Sequence, residues 1–151
     1  MNVFKYFISL IIFSSFSYGN PVETGHASVS LVKFDANLSA QNELFIGIKM
    51  DMQKNWHTYW KNPGDSGGAI KVIWNLPENV TIEGPLWPTP ELLPYPPLMT
   101  YGYKDFVIFP YKVLYTDIDN LSFVGADIDF LICDEKKPRT IEIKTPKRIS
   151  G

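Results

Sequence analysis

Cys133 is the single cysteine among 151 residues. A lone thiol excludes an internal disulfide framework and any cysteine-only metal site. His26, His57 and the methionines share no ligand spacing with it, so no metal is expected. The chemistry left to Cys133 is attack, as a thiolate, on another disulfide. Lys136 and Lys137 would favour that thiolate, whereas Asp127, Asp129 and Asp134 would oppose it, and the sequence leaves the balance open. A buried, inert cysteine is the competing reading. The second chemically loaded stretch is Trp56-His57-Thr58-Tyr59-Trp60. Two readings fit it: a strand whose alternate rings enter the core, or an aromatic lining around a partner-binding or redox site. A third stretch, Gly64-Asp65-Ser66-Gly67-Gly68, has the look of a serine-protease nucleophile segment near His57. A triad needs a base and an orienting carboxylate brought in from elsewhere in a larger fold. Nine residues separate His57 from Ser66, and the chain is too short for two barrels, so Asn62–Gly68 is read as a turn.

The elements that must position these residues alternate with period two, the mark of half-buried strands. Leu44, Ile46, Ile48, Met50 and Met52 share one face of 43–52, and Val72, Trp74 and Leu76 repeat the pattern. Val107, Phe109, Tyr111, Val113 and Tyr115 do so again, with Pro110 predicting an edge strand or a bulge. Val124, Ala126, Ile128, Phe130 and Ile132 form the next face; weaker strands are expected at 27–34 and 140–144. By the same parity Cys133 faces outward with Asp127, Asp129 and Leu131. Six of the twelve prolines fall between Pro85 and Pro97, which excludes a helix or a central strand there. That stretch reads as a stiff flap carrying Trp87, Leu92, Leu93 and Tyr95, which would shield the thiol. The whole predicts an all-β sandwich of about seven strands.

The length allows one domain. A formal charge of −2 argues against nucleic-acid binding. Residues 1–19 carry one charge, Lys5, an apolar run from Phe7 to Phe16, and small residues before a cleavage point after Gly19. They are expected to be an export signal, leaving a domain outside the cytosol with no membrane association after cleavage.

Trp56 through Gly67, written WHTYWKNPGDSG, is similar to the signature of the N-terminal domains of DsbD/ScsB-type thiol:disulfide interchange proteins. Trp87-Pro88-Thr89-Pro90, Tyr101-Gly102-Tyr103 and Gly25-His26-Ala27 resemble further hallmarks. The resemblance spans about 25–133, within a domain expected over 25–145. It implies an immunoglobulin-like sandwich in the periplasm of a Gram-negative bacterium, needing no cofactor. Its partners would be thioredoxin-like periplasmic proteins, or the thioredoxin-like domain of a related transmembrane reductase. Cys133 matches the first of the family's two relay cysteines; the second would fall near Lys136 or Lys137, where none stands. Cys133 is thus the expected nucleophile, with Trp56, His57, Tyr59, Trp60, Trp87, Tyr101 and Tyr103 as expected partner-binding residues. Three accounts follow: a truncated relative, a single-thiol relative that uses an external resolving thiol, or a non-catalytic periplasmic binding module.

Overall fold

The computed structural model describes residues 20–34, 44–115, 125–136, 140–144 and 149–150, and every regular element among them is a strand. The expected export signal lies outside these residues. In chain order the strands are β1 (Val22–Glu23), β2 (Ala27–Phe34), β3 (Leu44–Met52), β4 (Trp56–Gly64), β5 (Lys71–Asn75) and β6 (Val80–Glu83). There follow β7 (Glu91–Tyr95), β8 (Leu98–Lys104), β9 (Phe106–Tyr115), β10 (Gly125–Asp134), β11 (Thr140–Lys144) and β12 (Ile149–Ser150). One sheet runs β1-β2-β3-β9-β6 and the other β11-β10-β4-β8-β7, with every pairing antiparallel. The twelve strands among the described residues exceed the expected seven because five (β1, β6, β7, β8, β12) are short, proline-bearing or without a clean apolar alternation.

The two sheets bury the alternating faces against each other. Val29, Ile48, Met50, Phe109 and Val113 from the first meet Ile128, Phe130 and Ile132 from the second, all at 2% exposure or less. Side chains standing on both inner faces exclude water from one continuous apolar layer, the main stabilising term of a sandwich.

Pro110 departs from the expectation. β9 is an interior strand, and its register with β3 is unbroken from Leu44↔Val113 to Asp51↔Phe106. The proline is tolerated because β6 pairs only with Lys112–Tyr115, leaving no ladder beside residue 110. On that side the Pro110 carbonyl accepts the Leu86 amide at 2.7 Å, so the missing amide points away from β3 and breaks none of its bonds. The proline-rich segment obeys its constraint: β7 is an edge strand.

Two core phenols give the fold a pH limit. Burial pushes Tyr103 up to about 12, and Tyr111 higher still. The Tyr103 hydroxyl donates to the Pro88 carbonyl at 2.9 Å, tying the flap to β8. A phenol whose folded value lies above its ordinary value of 10.0 is held neutral by folding. Its contribution is intact below pH 10 and is lost as pH climbs through 12. The melting temperature is therefore expected to fall between those limits, and Tyr103→Phe to blunt the fall. Equal slopes in both proteins would count against this cause.

Candidate functional site

β10 alternates cleanly: Ala126, Ile128, Phe130 and Ile132 are buried, and Leu131 and Cys133 turn to the other side of the sheet. The parity read from sequence holds, and the thiol is half-buried rather than bare. On β4, His57 lies directly across from Cys133 and Thr58 across from Ile132. Directly opposed residues share a face, so His57 and Tyr59 stand beside the thiol while Trp56 and Thr58 point inward. β8 continues the surface with Lys104 opposite His57 and Gly102 opposite Tyr59. β7 closes it, Leu93 lying opposite Thr100. The result is a cleft of about 420 Å³ on the outer face of the second sheet, walled by Cys133, His57, Tyr59, Leu93, Leu98 and Thr100. Pro94, Ser66, Lys104, Asp134 and Glu135 complete its rim.

One end of the cleft is shut by the loop after β4. Asn62, Pro63 and Gly64 lie in β4 rather than in the expected turn, after a register shift between Tyr59 and Gly64. Turn-forming residues suit that irregular stretch, because the shift breaks the flat ladder. The chain then folds back over Tyr59. Gly67, at φ +97°, presses its backbone on the phenol ring where any Cβ would collide. Asp65 fastens the loop to β8, accepting the Met99 amide at 2.9 Å and donating its own amide to Met99 O at 3.0 Å. Tyr59 is consequently 2% exposed although it sits on the outer face.

Of the charges the sequence suggested, Asp134 lines the cleft with the thiol, and Lys104 and Glu135 join it there. Lys104 Nζ pairs with Glu135 Oε1 at 2.8 Å, and the same oxygen lies 3.9 Å from His57 Nδ1. Burial holds His57 below the ordinary imidazole value; Glu135 opposes this and Lys104 adds to it. The ring is neutral at pH 7, so the 3.9 Å approach is not an ion pair. His57 Nδ1 is buried without a hydrogen-bond partner. Asp134 accepts the Lys136 amide at 2.9 Å, and Lys137 lies outside the described residues.

Of the eight residues expected at the site, the structure gathers Cys133, His57 and Tyr59. Trp56 is buried and stacks on His26 at 4.0 Å, while Tyr103 and Trp87 each meet Phe109 in a T-shaped contact at 5.5 Å. Trp60 contacts Tyr101 at 6.3 Å and carries Lys61 over its ring, on the inward side of β4. Trp87 therefore does not shield the thiol; Leu93, Pro94 and Leu98 from the β7–β8 hairpin wall that side instead. Lys104 and Glu135 were missed. Tyr103, an aromatic neighbour expected to turn inward, was the available signal that Lys104 faces the other way. Glu135 has none, because it lies past the end of the strand. Among the described residues no group of three or more His, Cys, Asp or Glu side chains is placed to hold a metal.

The chain is thus an all-β sandwich that presents one half-buried thiol in a cleft of its second sheet. The chain belongs to the family of the N-terminal domain of thiol:disulfide interchange protein DsbD, whose model matches residues 28–138. The fold is similar to the crystal structure of the N-terminal periplasmic domain of ScsB from Proteus mirabilis, with TM-score 0.62 and 18% identity. That match covers 90% of this chain and 52% of the other, so the chain spans about half of that structure. A FixG-related protein from Vibrio parahaemolyticus matches at TM-score 0.28 and 13% identity over 82% of this chain and 94% of its own, too weakly to bear on fold or function. No curated protein matches the chain.

Proposed function

We propose that this chain is a periplasmic thiol:disulfide interchange domain working through Cys133 alone, with a thioredoxin-like protein as partner. The observation that carries the reading is that Cys133 opens into a cleft instead of the core. The Cys133 thiolate attacks one sulfur of the partner's disulfide. A bond forms between the two proteins, the partner's own S–S bond breaks, and the displaced sulfur leaves as a thiolate that takes up a proton. A small external thiol then attacks the Cys133 sulfur and releases the partner as a dithiol. A second equivalent frees Cys133, so two electrons pass from the external thiols to the partner. The family's paired-cysteine relay supplies its own second thiol; here Lys136 and Lys137 occupy the matching stretch.

The test uses a thioredoxin-fold protein whose resolving cysteine is replaced by serine and whose attacking cysteine is activated with thionitrobenzoate. The reduced chain is expected to displace the chromophore and form a one-to-one adduct, read by non-reducing mass. The rate should exceed that of an unstructured peptide of the same flanking sequence by about tenfold, through docking. Cys133→Ser should give no adduct. A rate no better than the peptide's would overturn the exchange reading. Tight but purely non-covalent capture by both proteins would establish the binding-module reading in its place.

A further inference from the structure

The unpartnered His57 nitrogen is the feature of the cleft that thiol presentation alone leaves unused. A buried imidazole nitrogen without a partner costs stability, and a group of that kind calls for an explanation. Only 7% of His57 is exposed, its Nδ1 bonds to nothing, and its ring lines the same cleft as Cys133. The two residues are directly opposed across the β4–β10 ladder, where Cβ atoms stand about 4.5–5.5 Å apart, within reach of a ring and a thiol. The groups facing the imidazole are Cys133, Asp134 and Glu135 from the end of β10, Lys104 from β8 and Tyr59 from β4 itself. Tyr59 meets it edge-on at 5.2 Å. Glu135 Oε1 lies 3.9 Å from Nδ1 and is held by Lys104.

We propose that His57 is the proton acceptor for the Cys133 thiol and that Glu135 is the residue that positions its ring. This rests on the exchange reading above and extends it. A hydrogen shared between Nδ1 and Glu135 leaves Nε2 unprotonated, the form able to take a proton. The nucleophile–base–orienter order is that of other activated thiols. In the resting chain the Cys133 thiol donates to the Asp134 carbonyl at 3.7 Å. Once it rotates toward His57 its proton passes to the imidazole, the thiolate attacks the partner disulfide, and the imidazolium returns the proton to the departing sulfur. Lys104 holds the carboxylate 3.9 Å from Nδ1, a distance that a small side-chain shift closes in the free chain.

The probe is iodoacetamide, which alkylates Cys133 and needs no partner; the readout is intact mass against time between pH 5 and pH 9. In the native chain the rate is expected to carry an inflection below the ordinary imidazole value of 6.5. His57→Gln should lose that inflection and react about tenfold more slowly at pH 7. Glu135 is a partly exposed residue, so Glu135→Gln tests the same relay without a buried change. A carboxylate acting only as a nearby negative charge would hinder the thiolate, and its removal would speed alkylation; an orienting carboxylate predicts a several-fold slowing. Slowing in Glu135→Gln supports the relay. An unchanged or faster rate overturns it, whether or not His57→Gln folds. The experiment reads Cys133 alone, so failure to trap a thioredoxin-fold partner leaves its outcome intact, and the converse holds too.

Discussion

Gly102→Val is expected to remove the stable native state. Gly102 is buried in β8 opposite Tyr59, and a Cβ there would run into the Thr58 carbonyl oxygen and approach a Leu93 methyl at 3.1 Å. The Leu93 methyl could rotate away. The Thr58 carbonyl could not, because Thr58 is paired with Ile132 on one side and Tyr103 on the other, and its hydroxyl donates to Leu131 O at 2.9 Å. Overpacking against mobile side chains costs about 1–3 kcal/mol. Against a fixed backbone that also carries the His57–Cys133 pair, about 4 kcal/mol or more is expected, a large part of a small domain's stability. Urea unfolding checks this. A midpoint within a few tenths of a molar of the native value would show that the two strands can separate locally at no great cost.

Phe130→Ala carries the second largest expected effect. Phe130 is 2% exposed and stands between Ile128 and Ile132 on the inner face of β10. Truncating a ring in such a place removes its transfer free energy and leaves a cavity that neighbours fill only in part, about 3–5 kcal/mol in all. Because β10 sets the position of Cys133, the loss should appear in the chemistry as well. Local opening would expose the thiol, and alkylation should become faster at concentrations of urea that leave the native chain protected. Leu131→Ala, on the opposite face of the same strand, is expected to cost well under half as much. Equal midpoints for the two variants would mean that the sandwich core does not run through β10.

These expectations draw on a fold much of which was legible in the amino-acid pattern. β2 and β11 occur at the residues read from sequence, and the outward parity of Cys133 survives because β10 carries no bulge across its pairing with β4 and β5. Alternation is a local signal, and it works wherever a strand has one apolar face for five residues or more. It fails where another constraint shares the stretch. Pro110 marked β9 as an edge or a bulge because sequence does not show that β6 stops two residues short of it. The Trp56–Trp60 stretch offered core or site as alternatives, and the strand does both: Trp56 and Thr58 enter the core, while His57 and Tyr59 line the cleft. Tyr59 is buried on the outer face only because Gly67 covers it, a tertiary fact with no period of its own. The cleft needs residues from β4, β7, β8 and β10, so its membership follows from sheet order, which spacing along one chain does not contain.

β10 is hydrogen-bonded along both edges, to β11 and β12 on one side and to β4 and β5 on the other. The backbone of Cys133 is therefore held by pairing on both sides, to Thr140 and to His57, which leaves the sulfur chiefly its own rotamer to adjust. In the exchange proposed above the three sulfurs would be nearly collinear, so a fixed nucleophile would dictate the direction from which the disulfide must come. That direction is the axis of a cleft bounded by the β7–β8 hairpin and the loop clasped over Tyr59. A disulfide carried on a narrow protruding loop can enter along it; one lying flat within a sheet cannot present its axis without colliding with the walls. On the proposed exchange, selection among oxidised proteins would be made by contour before any bond is exchanged, as a keyway admits a blade of one profile.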